Sequence, residues 1–175
     1  MDEDFPNDLL WNIFEIEDEA LSSIDKEIRE EFEKKSHKVI EELKEEVRTY
    51  ISNVKREQIC ELLRRQKEAE LDELINKVSK KAMMKLRKQL EETINDLANV
   101  AYQRFLQEII ERLGRRYKVN EQVLKQVIEY YEKKRKDELI SSHKRVMILF
   151  IKFQVKMAEL LAILEVNCQD SGAAT

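Results

Sequence analysis

The chain has 175 residues, of which 39% are charged, with two glycines and one proline. Average usage would place about a dozen glycines in a chain of this length, so turns are scarce, all-β and α/β folds are excluded, and a few long helices remain. The net charge of −4 gives no global attraction to nucleic acid or anionic lipid.

Asp2 to Ala20 holds the only proline, the only tryptophan and eight carboxylates without a Lys or Arg. The remainder therefore carries an excess of about +4, and basic patches are expected there. After Pro6, Asn7 or Asp8 can cap a helix through about Leu21. Residues 1–22 are read as an acidic amphipathic segment. Its apolar residues Leu10, Trp11, Ile13 and Phe14 are too much greasy surface to leave in water. Two readings stand side by side: a docking motif for another protein, or a segment folded back that buries Trp11 and Phe14 on its own bundle with its acids facing a basic stripe downstream. Ser22-Ser23 offers a second N-cap, and a kink is expected there.

From Ser23 to Leu113 no Gly or Pro interrupts the chain. Residues 23–113 read as one long helix with a break expected near 50–53, where Tyr50, Ile51, Ser52 and Asn53 lower helix propensity. An apolar row runs through Ile24, Ile28, Phe32, Val39, Leu43, Val47, Ile51 and Val54. A second runs from Leu71 through Ile75, Val78, Ala82, Leu86, Leu90, Ile94, Leu97, Ala101, Phe105 and Ile109 to Leu113. Its mean step of about 3.8 residues exceeds both 3.5 and 3.6, so the row drifts around the helix, which favours a bundle over a two-stranded zipper.

Between the apolar positions lies a basic stripe without an intervening acid. Lys77, Lys81, Lys85 and Lys88 fall within about 80° of arc, opposite Val78, Ala82 and Leu86. It reads as a solvated face, or as a patch for an acidic surface or phosphates. Nucleic acid is not the expected partner, because no aromatics are interleaved for base stacking.

In LGRRYKVNEQ, Gly114 is expected as a left-handed C′ residue and hinge, with 114–119 as a turn and Asn120 as the next N-cap. Residues 120–166 then form a helix that packs back on 71–113. Its second half, RVMILFIKFQVKMAELLAILEV, is apolar on nearly every side and reads as bundle core. Lys152, Lys156, Glu159 and Glu165 oppose a membrane span, since each central charge costs about 2.5–3.5 kcal/mol. Peripheral membrane contact through 144–157 is a lesser alternative. The tail 167–175 is expected to be disordered.

Neither His37 nor His143 has a catalytic or ligating partner nearby in sequence, and both read as solvated. Cys60 and Cys168 suggest neither a zinc site nor a disulfide framework. With no signal-like start, they fit a reducing, cytoplasmic or nuclear setting. No metal, cofactor or enzymatic activity is expected. The fold expected is all-α, built of long amphipathic helices as a coiled coil or an elongated antiparallel helical hairpin or bundle. The function expected is a non-enzymatic coiled-coil interaction or scaffold protein, part of a larger assembly or a homo-oligomer. The alternative is a small helical adaptor that binds an acidic surface or nucleic acid through the stripe 77–88.

Overall fold

The computed structural model describes residues 7–168, with side chains from Trp11 onward. The fold is all-α, and among the described residues there is no strand. Helix α1 runs Asn7–Thr49 and α2 Arg56–Arg64, followed by α3 Glu68–Gln89, α4 Glu91–Tyr117, α5 Glu121–Tyr130 and α6 Lys136–Glu165. Two π-helical turns, Tyr50–Val54 and Tyr131–Arg135, interrupt this series.

The chain forms two compact units. The first takes residues up to Lys35 and Glu92–Met147, and the second takes Ser36–Glu91 and residues from Ile148 onward. In the first unit, Glu19 pairs with Arg112 and Arg116, and Glu27 and Glu31 pair with Arg104, so α4 runs antiparallel to α1. Glu17 meets Arg135 and Asp25 meets His143, so the third helical segment runs parallel to α1. Ile13, Ile16, Ala20, Ile24, Ile28 and Phe32 of α1 are buried, as are Ile94, Leu97, Ala101, Phe105, Ile109 and Leu113 of α4. Burying each large aliphatic or aromatic side chain contributes about 1.5–3 kcal/mol.

The second unit repeats this layout with different segments. Lys44 donates to Gln154 at 3.2 Å and Arg48 to Glu165, so α6 ascends beside the last turns of α1. Its core draws Ile40, Leu43 and Val47 from α1, Ile75, Ala82 and Leu86 from α3, and Ile151, Val155 and Ala162 from α6. Buried positions in α1 and α6 recur mostly every fourth residue, a mean near 3.8 that matches the drift of the α3–α4 row.

Several sequence expectations are corrected. α1 continues through Ser22 and Ser23, so no second helix starts there. Ser36 and Ile40, rather than Val39, carry the buried row across the middle of α1, and Val54 is 65% exposed. The break near 50–53 takes the form of a π-turn: Lys55 N–H donates to Tyr50 O at 3.0 Å, and Ser52 Oγ donates to Arg48 O at 2.7 Å. Such serine back-bonding bends helices. The single helix 23–113 is therefore several helices, and its main reversal lies at Arg65–Lys67. There Gln66 has φ 57°, its N–H donates to Leu63 O, and Lys67 N–H donates to Leu62 O. This is a Schellman cap built on a non-glycine residue.

Gly114 is not the hinge. It lies inside α4 with no positive φ, and the left-handed residue is Lys118, with φ 49°. The turn is thus 118–120 rather than 114–119, and Asn120 caps α5 by accepting from Val123 N–H at 2.9 Å.

Cys60 and Cys168 form a disulfide, with Cα atoms 5.4 Å apart. Asn167 O accepts from Arg56 at 2.7 Å, so the first residues of the expected disordered tail are held against the second unit. Residues 169–175 lie outside the described residues. The disulfide also removes the cysteine-based reason for expecting a reducing compartment. Among the described residues, no helix is long and apolar enough to cross a membrane.

Candidate functional site

The side chains of α1 in the first unit divide sharply by face. Ile13 and Ile16 are fully buried, whereas Trp11 is 73% and Phe14 45% exposed. The two exposed rings stack edge to face with centroids 6.2 Å apart, and Glu15 and Asp18 border the same shallow depression. Helical spacing explains the split, because residues 13, 16 and 20 share one face and 11, 14, 15 and 18 share another. Leu10 lies outside the residues whose side chains are described.

The inner acids of this segment are already engaged within the first unit. Glu17, almost buried, accepts from Arg135 and from the Tyr131 hydroxyl at 3.4 Å. The π-turn Tyr131–Arg135 places both donors on the side facing Glu17. Burial, reinforced by the Glu17 charge, pushes the Tyr131 phenol well above its ordinary range, so it remains a donor. Arg116 and then Arg112 hold the Glu19 carboxyl below the usual range. The fold-back reading is thereby corrected in part. Ile13 joins the core while Trp11 and Phe14 stay exposed, and Glu17 and Glu19 pair with arginines of the π-turn and α4.

His143 is also corrected. It is 2% exposed, with Nδ1 3.2 Å from Asp25 Oδ1, and it occupies a core position rather than a solvated one. His37 is exposed.

In the second unit, the Schellman turn at Arg65–Lys67 sends α3 back beside α1 and opens a cleft of about 610 Å³. Leu43 and Val47 of α1 and Leu74, Val78 and Ala82 of α3 line it with apolar surface. Lys55, Lys77, Lys80, Lys81 and Lys85 also line it. Lys77, Lys81 and Lys85 of the stripe thus border one concavity together with Val78 and Ala82 rather than opposite them, joined by Lys55 and Lys80. Lys88 is exposed but does not line the cleft. Lys85 pairs with Glu46 at 2.9 Å, Lys77 approaches Glu73 at 3.8 Å, and Lys55 lies 5.8 Å from the Tyr50 ring centre. Met84 stands 67% exposed on the wall and gives it an adaptable apolar side chain.

The third feature is α6 within the second unit. Ile151, Val155, Ala158 and Ala162 are buried, whereas Leu149, Phe153, Leu160, Leu161 and Leu164 are exposed, Leu164 to 80%. With Met157, 38% exposed, bridging Phe153 and Leu160, the exposed residues 149, 153, 157, 160 and 164 recur at three- and four-residue steps, with Leu161 beside them, and form one continuous apolar row. Exposed Lys152 and Lys156 flank it. The expectation that this stretch is wholly bundle core is therefore corrected, since only one face finds core. The signal was present in a helix apolar all round, yet sequence does not say how many neighbours the helix has. At the margin of that core, Glu159 is 1% exposed, neither carboxylate oxygen makes a hydrogen bond, and Lys156 Nζ lies 3.1 Å from Oε2. Burial raises its pKa, and Lys156 only partly offsets this.

Among the described residues, no group of His, Cys, Asp and Glu side chains converges as a metal site. No family model, curated protein or solved structure matches this chain.

Proposed function

We propose that the protein is a non-enzymatic helical interaction subunit, and that the exposed face of α6 receives an amphipathic helix from a second copy of the chain. The supporting observation is the apolar row Leu149, Phe153, Leu160, Leu161 and Leu164, exposed while the opposite face of the same helix is buried. Rows of this kind are rarely left in water, and helix-in-groove recognition reads anchors at these same spacings. The flanking Lys152 and Lys156 favour a partner helix with acids along the adjoining edge.

The test is the solution mass of the purified chain by light scattering, compared with a variant carrying Leu149→Gln, Phe153→Gln and Leu164→Gln. The expected result is association above the 21.0 kDa chain mass for the natural sequence and a reduced mass for the variant, with helicity unchanged. Equal masses for the two proteins at every concentration would overturn the reading.

A further inference from the structure

The lysine-lined cleft of the second unit and the acidic aromatic face of the first are complementary in the two respects that decide docking. We infer that the cleft binds the Trp11–Phe14 face of a second copy of this chain, giving a head-to-tail contact distinct from the α6 surface.

The apolar lining of Leu43, Val47, Leu74, Val78 and Ala82 can bury aromatic rings. A volume of about 610 Å³ is within the range that holds a compact ligand group. Trp11 and Phe14 form a ready edge-to-face pair that already projects from the protein, so little side-chain ordering is required on binding. Large, rigid aromatics are also the residues that most often dominate interface energetics.

Charge selects the occupant. The cleft presents Lys55, Lys77, Lys80 and Lys81 together with the Lys85–Glu46 pair. Glu15 and Asp18 flank the two aromatic rings. The region from Asp2 to Ala20 has no base to oppose these lysines. Ile13, Ile16 and Glu17 hold the segment in its own unit, so the rings are presented outward on a fixed helix. Because the two surfaces differ, the contact is heterologous, and copies can add in series until a ring closes.

Trp11 is the only tryptophan, so its emission reports occupancy of the cleft without a label. The experiment titrates the full chain from about 1 μM to about 200 μM, a span that brackets micromolar association. Two variants accompany it: Lys77→Glu with Lys80→Glu and Lys81→Glu, and Trp11→Ala with Phe14→Ala. All five positions are exposed, and circular dichroism checks that both variants keep their helicity.

The natural chain should show a concentration-dependent blue shift, weakened at least about tenfold between low and high salt because charge contributes to the contact. The lysine variant alone should show no shift. Adding the aromatic variant, which lacks tryptophan but keeps the cleft, should restore the shift of the lysine variant. Association through α6 cannot produce this pattern, since both variants leave that face intact. Emission independent of concentration in the natural chain, a shift that persists in the lysine variant alone, or a mixture that fails to restore it would each overturn the inference. So would loss of the natural chain's shift on adding an equal concentration of an unrelated acidic peptide without aromatics, which would make the cleft a general anion site.

Discussion

Replacing Gly114 by alanine should stabilise the protein. Gly114 lies within α4, three residues before its end at Tyr117, with no positive φ, and a Cβ built there meets nothing within 4 Å. Neither a packing gain nor a clash enters, so the effect is backbone entropy and helix propensity. Glycine is about 0.8–1.0 kcal/mol worse than alanine in a helix interior. Near the last turn, about 0.5–1 kcal/mol is expected, or roughly 1–4 °C in melting temperature for a cooperative chain of this length. The companion change Lys118→Gly should also stabilise, because Lys118 has φ 49° and a non-glycine residue there costs about 1–2 kcal/mol. Part of that gain is lost to the greater freedom of glycine in the unfolded chain, leaving about 0.5 kcal/mol. Urea unfolding followed by far-ultraviolet circular dichroism reads both changes, and Gly114 and Lys118 lie in the same unit. If Gly114 were the left-handed cap, both signs would reverse. A destabilisation above about 1 kcal/mol by Gly114→Ala would refute the placement of the turn at 118–120.

Other expectations follow from buried polar groups and from the cross-link. Glu17→Gln should destabilise the first unit by about 1–3 kcal/mol, below the 3–5 kcal/mol typical of a fully buried pair, because Arg135 retains some solvent and a second partner in Glu138. Urea unfolding that moves by less than about 0.5 kcal/mol, the range of an ordinary surface change, would contradict this. Glu159 has a raised folded-state pKa, so the folded protein holds its proton to higher pH than the unfolded chain does. Its contribution to stability is fully present below the unfolded value and is lost as pH rises through the raised folded value. Glu159→Met should therefore stabilise the second unit at pH 7, by about 1–3 kcal/mol, and the gap should close as pH falls. A gap independent of pH would remove the buried charge as its cause. Cys60→Ser with Cys168→Ser should lower the stability of the second unit, since closing a loop across 108 residues of sequence restricts the unfolded chain. Chain entropy sets an upper bound of about 4.7 kcal/mol on that loss. Peptide mapping without reductant should recover the Cys60–Cys168 link in the natural chain, and its absence would contradict the pairing.

What sequence conveys here depends on whether a feature is periodic or conformational. The row Ile75 to Leu113 is legible because apolar residues repeat at helical steps over nearly forty residues, and all but Val78 are buried. The cap at Asn120 is legible because an amide acceptor before an apolar run has one local use. The reversal at Arg65–Lys67 is not, since RRQK contains no glycine, proline or asparagine and Gln66 adopts the left-handed conformation under tertiary demand. Gly114 misleads for the converse reason, as a residue able to turn the chain at a place where the helix continues. The disulfide was invisible because 108 residues separate its cysteines and only folding brings α2 to the end of α6. The lysine stripe could be placed on one face by spacing alone. The apolar lining between those lysines belongs partly to α1, which no local pattern associates with α3.

On the proposed reading, another chain covers the exposed face of α6. A photo-reactive phenylalanine analogue placed at Phe153 tests it most directly, with the cross-linked peptides sequenced by mass spectrometry. An intermolecular product that maps to an amphipathic helix is expected, lost when Leu149→Gln and Leu164→Gln are introduced alongside the probe. No intermolecular product, or one that persists undiminished with both glutamines present, would contradict it.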